Sequence, residues 1–330
     1  MTIITKNNEQ IIRLADYGIT IPLLDTRPKE VLQYLTSRIP SQVIQEDFNN
    51  HISKTDLERV HDKDWVDLIY SDDPSQAIIT TFELIKPDGS YHRYDPSSAT
   101  KPLKEIADEA IKDCAGTFEA CQHAMETGFS YFLGGGMHHA MSHTGDGFCL
   151  LNDMVISLRK LQAKERIKTA WVIDIDAHKG DGTAQITADD TSITTLSIHM
   201  KDGWPLDNAS NIPGTPNLSL IPSNIDIGIA EGEESRYLSE LEKGLNQLKA
   251  INPNPDLVII VGGSDPYEGD ALPSADLLKL NLSDMLARDL LVYNFCREQK
   301  LPQAWVMSGG YGEKVWQVHA QFLEHVYKEA

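Results

Sequence analysis

The sequence predicts an α/β chain in which a parallel sheet is buried beneath helices on both of its faces. Two observations predict this. Runs that are apolar at nearly every position, such as Leu257–Val261 (LVIIV), alternate with segments whose apolar residues recur about every 3.6 positions. A strand without a polar face needs cover on both sides, which parallel sheets have and half-wet antiparallel sheets lack. A third observation concerns chemistry: polar and ionisable residues cluster just after the predicted strands, where open parallel sheets bind their ligands.

Taken in order, residues 1–60 show no clear period. From there to about residue 100 the chain is polar and rich in turn formers (SDDPS, KPDGS, DPSSATKP), which predicts long loops. A long helix is expected from Leu103 to Glu126, where Ile106, Ala110, Ile111, Ala115, Phe118 and Cys121 keep helical spacing. SYFLGGG then reads as a strand ending in a glycine turn. Asn152–Leu161 reads as helix and Ala170–Ile175 as strand. The alternation continues with strand Ser192–Ile198, helix Glu233–Leu248, strand Leu257–Val261, helix Ser274–Cys296, strand Ala304–Met307 and a last helix from near Glu313. No proline- or serine-rich linker divides the chain, so residues 1–330 are expected to form one domain.

Composition narrows the function. With 330 residues the chain can bury a substantial core. Hydrophobic residues make up 41% and charged residues 24%, an ordinary globular balance. A formal net charge of −20 argues against nucleic acid and against anionic membrane surfaces as partners. The four cysteines, Cys114, Cys121, Cys149 and Cys296, include no CxxC pair. They read as reduced thiols of a cytoplasmic protein. MTIITKNNEQ has no basic stretch followed by an apolar run, so no signal peptide is expected. No apolar run approaches the ~18–20 residues that span a bilayer. The oligomeric state cannot be read from the sequence.

Four polar blocks follow predicted strands: GGGMHHAMSH (134–143), DIDAHKGDG (174–182), GGSDPYEGD (262–270) and SGGYG (308–312). Asp176 and His178 are two residues apart, so on extended chain they project to one side. Asp265, from another strand, can complete an Asp–His–Asp set with one open position. Borderline Zn²⁺ accepts such O and N donors, and two carboxylates would offset its charge on burial. The competing reading is that these acids cap helices or bind backbone. The adjacent His138 and His139 suit general acid–base work on an activated water, if not merely satisfied structural histidines. Asp174 and Asp181 are spare acids able to orient them. Tyr311, flanked by glycines, can donate to a developing oxyanion, or be a packed aromatic beside a turn.

These residues resemble the histone deacetylase superfamily, which includes the acetylpolyamine amidohydrolases. The resemblance covers roughly residues 55–320 and rests on GGGMHHAMSHTGDGFCLLND, VIDIDAHKGDGTAQ, GGSDPYEGD and MSGGYG, with ISKTDLERVHDKDWV (52–66) resembling the family's early segment. Residues 1–50 match poorly. The resemblance implies a single-domain arginase/deacetylase fold with a central eight-stranded parallel sheet flanked by helices. It implies zinc ligands Asp176, His178 and Asp265, catalytic His138 and His139 partnered by Asp174 and Asp181, and a carbonyl-binding Tyr311. Phe148 would form one wall of an acyl-lysine tunnel. Trp204 would form the other, although its loop (MKDGWPLDNASN) departs from the usual pattern. Asp95 resembles the rim aspartate, and Gly309, in SGGYG, falls among the substrate-binding residues. A structural monovalent cation, K⁺, is implied at Asp174 and Ser197. Lys179 stands where many eukaryotic members have histidine. Leu272 replaces the acidic gatekeeper of the polyamine-selective member, which argues against a polycation.

The expected activity is zinc-dependent removal of acetyl or other acyl groups from lysine side chains of proteins or peptides. Acetylpolyamines and other small acylated amines are the alternative substrates. Ligand type does not separate Zn²⁺ from Fe²⁺. Two rivals share the fold: a binuclear manganese ureohydrolase and a non-catalytic scaffold. DAHKGD has one residue too many for the ureohydrolase block, and GGSDPYEGD offers one aspartate at the ligand position. All the implied site residues are present, which speaks against the scaffold.

Overall fold

In the computed structural model of the chain, residues 2–6, 12–23, 26–38, 42–46, 48, 51–207 and 216–329 are described. Among the described residues, eight strands form one parallel sheet in the order β2-β1-β3-β8-β7-β4-β5-β6. They are β1 (Thr2–Lys6), β2 (Gln42–Glu46), β3 (Phe129–Phe132), β4 (Ala170–Asp174), β5 (Ile193–Met200), β6 (Ile225–Ile229), β7 (Leu257–Val261) and β8 (Gln303–Val306). The helices are α1 (Arg27–Thr36), α2 (Lys54–Leu57), α3 (Lys63–Ile69), α4 (Ser75–Thr81), α5 (Lys104–Thr127), α6 (Asp153–Ala163), α7 (Asp181–Thr187), α8 (Tyr237–Ile251), α9 (Leu282–Glu298) and α10 (Trp316–Glu329).

The expected eight-stranded parallel architecture is what the chain adopts. β3, β4, β5, β7 and β8 are buried at every position, as strands covered on both faces must be. All five residues of LVIIV are fully buried, each large apolar side chain contributing about 1.5–3 kcal/mol to folding. Trp171 and Trp305 are the largest fully buried side chains. α5 packs on β1, β3 and β8, while α8 lies on β5 and β6.

Three strands went unread in the sequence. β1 (TIITK) is a short run ahead of a segment without period. Gln42–Glu46 is polar at both ends, and β6 (IDIGI) is an edge strand that exposes Asp226 and Gly228. The polar stretch 60–100 is also more ordered than its turn residues suggest, for it holds α3 and α4. α9 begins at Leu282, not at Ser274, because Asn281 caps it: its side-chain oxygen accepts from Ser283 N and Asp284 N. The final helix begins at Trp316 rather than near Glu313. Among the described residues, no helix is long and apolar enough to cross a membrane.

Candidate active site

The four polar blocks emerge from four neighbouring strands, β3-β8-β7-β4. Their last paired residues stand in one line across the sheet: Phe132 beside Val306, Val306 beside Val261, and Val261 beside Asp174. The chain therefore leaves all four strands at one level, and the segments bearing His138, Tyr311, Asp265 and Asp176 meet above a single edge. This is where a parallel sheet places a ligand.

Asp176, His178 and Asp265 each offer a donor atom within 4.8 Å of the others, and all three are buried. His178 Nδ1 lies 2.9 Å from Asp265 Oδ2 and 3.3 Å from Asp176 Oδ1. Its Nε2 lies 3.2 Å from the Ser274 carbonyl. The Ser274 carbonyl can only accept, so Nε2 carries a proton and Nδ1 is the nitrogen left to face a bound cation. Without an ion, burial lowers the ring, but the hydrogen bonds and charges of Asp176 and Asp265 outweigh it and hold it up at about 10. The remaining carboxylate oxygens are tied down. Asp265 Oδ1 accepts from Ala177 N (2.9 Å), and Asp176 Oδ2 from Gly309 N (3.1 Å). A side chain on Gly309 would place its Cβ 2.6 Å from Asp176 Oδ2, so only glycine lets the loop come this close. Burial and the Asp176 charge push Asp265 up to about 6. Two buried carboxylates and an imidazole nitrogen converging on one point fit a divalent ion that takes O and N ligands.

His138 and His139 stand beside this cluster with ring centres 4.0 Å apart. Each has its own buried acid: His138 Nδ1 lies 2.7 Å from Asp174 Oδ2, and His139 Nδ1 lies 2.7 Å from Asp181 Oδ1. Both Nε2 atoms are thereby left for a reactant. Burial lowers His138, but Asp174 and Asp176 outweigh it and hold the ring up at about 9. Burial and the neighbouring His138 push His139 down to about 4. Two like groups with opposed protonation preferences form the arrangement that acid–base chemistry uses.

A cavity of about 240 Å³ reaches these groups; Phe148, Gly309 and Tyr311 line it together with both histidines and the Asp–His–Asp set. Phe148 is held in the left-handed region (φ 67°), its N–H donating to Thr81 O at 3.1 Å, and its ring meets Tyr311 at 6.2 Å. Backbone strain of this kind gathers at functional sites. Burial, with the Asp265 and Asp176 charges, raises the Tyr311 phenol well above its usual value, so it stays a donor. Trp204 packs edge-on against His139 (4.5 Å) and His178 (5.4 Å). The end of its loop, residues 208–211, lies outside the described residues. Asp174 and Ser197 are register partners on β4 and β5, and Ser197 Oγ accepts from Gly180 N at 3.3 Å. Three implied substrate residues stand apart from the cavity lining: Trp204, Asp95 and Leu272. Asp95 is exposed, and its Oδ1 caps its own turn by accepting from Ser97 N (3.0 Å) and Oγ (2.6 Å). Leu272 is packed into the core.

Sequence reasoning missed the residues that brace the site. His61 bridges two loops: Nδ1 donates to Met141 O (2.9 Å) and Nε2 accepts from Asn152 N (3.0 Å). Arg27 on α1 is buried and donates to Ser308 O (2.7 Å) and Gly310 O (3.0 Å), steadying the turn before Tyr311. Asp270 takes the Tyr311 and Leu272 N–H groups, each at 2.7 Å. Ser219 Oγ donates to Asp181 at 2.6 Å. Asp153, one residue past the α6 cap, accepts from Gly136 N (2.9 Å) and Met137 N (2.7 Å), holding the glycine turn ahead of the histidine pair. The usable signal was an acid in LLND facing a glycine turn that needs acceptors. Asp153→Ala leaves those buried N–H groups unmet and is expected to lower stability by about 2–4 kcal/mol, as read by urea unfolding.

A parallel sheet with a buried Asp–His–Asp set at its carboxyl edge, faced by two acid-paired histidines, defines an α/β protein with a candidate metal-hydrolase site. The histone deacetylase domain family matches residues 23–327, and the chain belongs to that family. This is wider at both ends than the stretch its motifs mark. The chain is 31% identical over 211 residues to an uncharacterized protein of Picosynechococcus sp., covering 64% of this chain and 65% of that one. It is 29% identical over 218 residues to histone deacetylase 2 of Arabidopsis thaliana (66% and 53% covered) and 26% identical over 206 residues to the acetoin utilization protein AcuC of Bacillus subtilis (60% and 50%). The aligned stretch thus spans between half and two thirds of these relatives' lengths. Among solved structures, the HDA15 HD domain superposes with a TM-score of 0.69 at 18% identity, covering 99% of this chain and 88% of that one, which shows the shared fold.

Proposed function

We propose that the chain is a zinc-dependent amidohydrolase that removes acetyl or other acyl groups from lysine side chains of proteins or peptides. One observation carries the reading: two histidines, each paired at 2.7 Å with its own buried carboxylate, stand beside the Asp176–His178–Asp265 cluster in a cavity that Phe148 also lines.

Asp176, His178 and Asp265 would hold the divalent ion, whose charge polarises the amide carbonyl and makes water acidic enough to attack near neutral pH. The rest falls to the chain's own groups. His139, kept neutral by burial and by its charged neighbour, takes the proton of the attacking water at Nε2 and returns it to the leaving amine nitrogen. Asp181 fixes its tautomer and steadies the charged ring. His138, held cationic by Asp174 and Asp176, offsets the negative charge of the tetrahedral state. Tyr311 donates its phenolic proton to the developing oxyanion. Phe148 and Trp204 enclose the aliphatic stem of the acyl-lysine and keep bulk water out. Asp174 and Ser197 would hold a structural K⁺ behind the site.

The test is a screen of purified chain against acyl-lysine peptides and acetylated polyamines. Turnover of the peptides should vanish with a chelator and return with Zn²⁺; reconstitution with Fe²⁺ gauges the other metal. Faster turnover of acetylpolyamines would move the assignment to small acylated amines. Inertness of the zinc-loaded chain toward both sets would refute it.

A further inference from the structure

β4 and β7 pair only as far as Asp174 and Val261, with Ile175 N–H reaching Val261 O at 3.1 Å. Beyond that rung the chains part. One turns into Asp176 and His178, the other into Asp265. The carbonyls at the parting, Ile175 O and Gly263 O, both accept from one side-chain nitrogen: Arg288 Nη1, at 2.8 and 2.9 Å. Arg288 projects from α9 and is wholly buried. Its fork is anchored from behind by Asp289, whose Oδ1 takes Nε at 2.9 Å and lies 2.7 Å from Nη2. Ile175 stands between Asp174 and Asp176, and Gly263 precedes Asp265 by two residues.

We infer that Arg288 is a positioning residue for the Asp176–His178–Asp265 site: its guanidinium fork sets the separation of the β4 and β7 ends so that donors from both strands converge on one divalent ion. The inference rests on the reading of that cluster as a metal site. A planar fork suits the task because one nitrogen carries two N–H groups in fixed directions, one for each carbonyl. A lysine ammonium held by Asp289 cannot span both in the same way. The costly burial of an arginine is met by Asp289, and the clamp stands at the level where the ligands diverge. The strands already pair below it.

The experiment measures Zn²⁺ affinity of the full chain by chelator competition and ligand geometry by the visible spectrum of the Co²⁺ form. Arg288→Lys keeps the charge facing Asp289 and removes the fork. The double variant Arg288→Met with Asp289→Leu removes both charges and serves where the single variant does not fold. Val292→Ala, one turn further along α9 and fully buried, is the control for a general loss of packing. Zn²⁺ should dissociate about 10–100-fold more readily from the Arg288 variants, with an altered Co²⁺ spectrum at saturation, while Val292→Ala stays within twofold of wild type. A folded Arg288 variant that binds Zn²⁺ within twofold of wild type overturns the inference, as does an equal loss in Val292→Ala. A wild-type chain that binds no divalent ion overturns the metal reading itself, a result separate from either of these.

Discussion

Tyr311→Phe is expected to lower kcat at least about 10²-fold, with KM and bound metal nearly unchanged. The phenol lines the cavity with the Asp–His–Asp set, and burial keeps it protonated, so it can donate to an oxyanion at any ordinary pH. Phenylalanine keeps the ring that Phe148 meets edge-on and the backbone N–H that Asp270 accepts. Only the donor is lost. An interaction that strengthens as charge develops appears in kcat, whereas one equal in ground and transition states would appear in KM. Steady-state kinetics with a metal assay on the same sample decide it. Turnover within threefold of wild type would leave Tyr311 a packed aromatic, the reading its sequence context also allowed.

How much of this was legible beforehand follows from where the physics is local. β7 was read to the residue because LVIIV is apolar throughout and bounded by turn residues. The donor set was legible because i, i+2 spacing on extended chain is a local rule and Asp265 follows an equally clear strand. That His138 pairs with Asp174, and His139 with Asp181, was anticipated by resemblance; the residues alone identified only two spare acids. β1, β2 and β6 were not legible. Each is short or partly polar and becomes a strand through the neighbour it pairs with, a tertiary cause that propensity does not carry. The bracing residues escaped for a similar reason. Arg27 reaches Gly310 across 283 positions and Arg288 reaches Ile175 across 113. An arginine in a helix looks solvated until the fold shows two strand ends short of donors. Asp95 and Leu272 mark the opposite limit: resemblance made one a rim aspartate and placed the other at a gatekeeper position, and in this structure Asp95 caps a turn while Leu272 is packed into the core.

Asp265→Asn should invert the chain's response to divalent metal. Without an ion, Asp176 and Asp265 are two buried carboxylates whose repulsion, added to burial, already drives Asp265 up to about 6. Asparagine removes one of these charges and keeps an oxygen for Ala177 N–H, the 2.9 Å bond that shapes the turn into His178. The metal-free variant is therefore expected to melt at or above metal-free wild type. Saturating Zn²⁺ acts in the other direction. An ion that binds only the folded state at a thousand times its dissociation constant adds about 4 kcal/mol, which for a chain of 330 residues raises the midpoint by roughly 6 °C. Loss of a charged ligand should remove most of that rise and, with it, turnover. Thermal unfolding of both proteins, with chelator and with Zn²⁺, separates the two effects in one experiment. A metal-free variant several degrees less stable than wild type that still gains the full Zn²⁺ shift would mean that Asp265 serves the fold and not the ion.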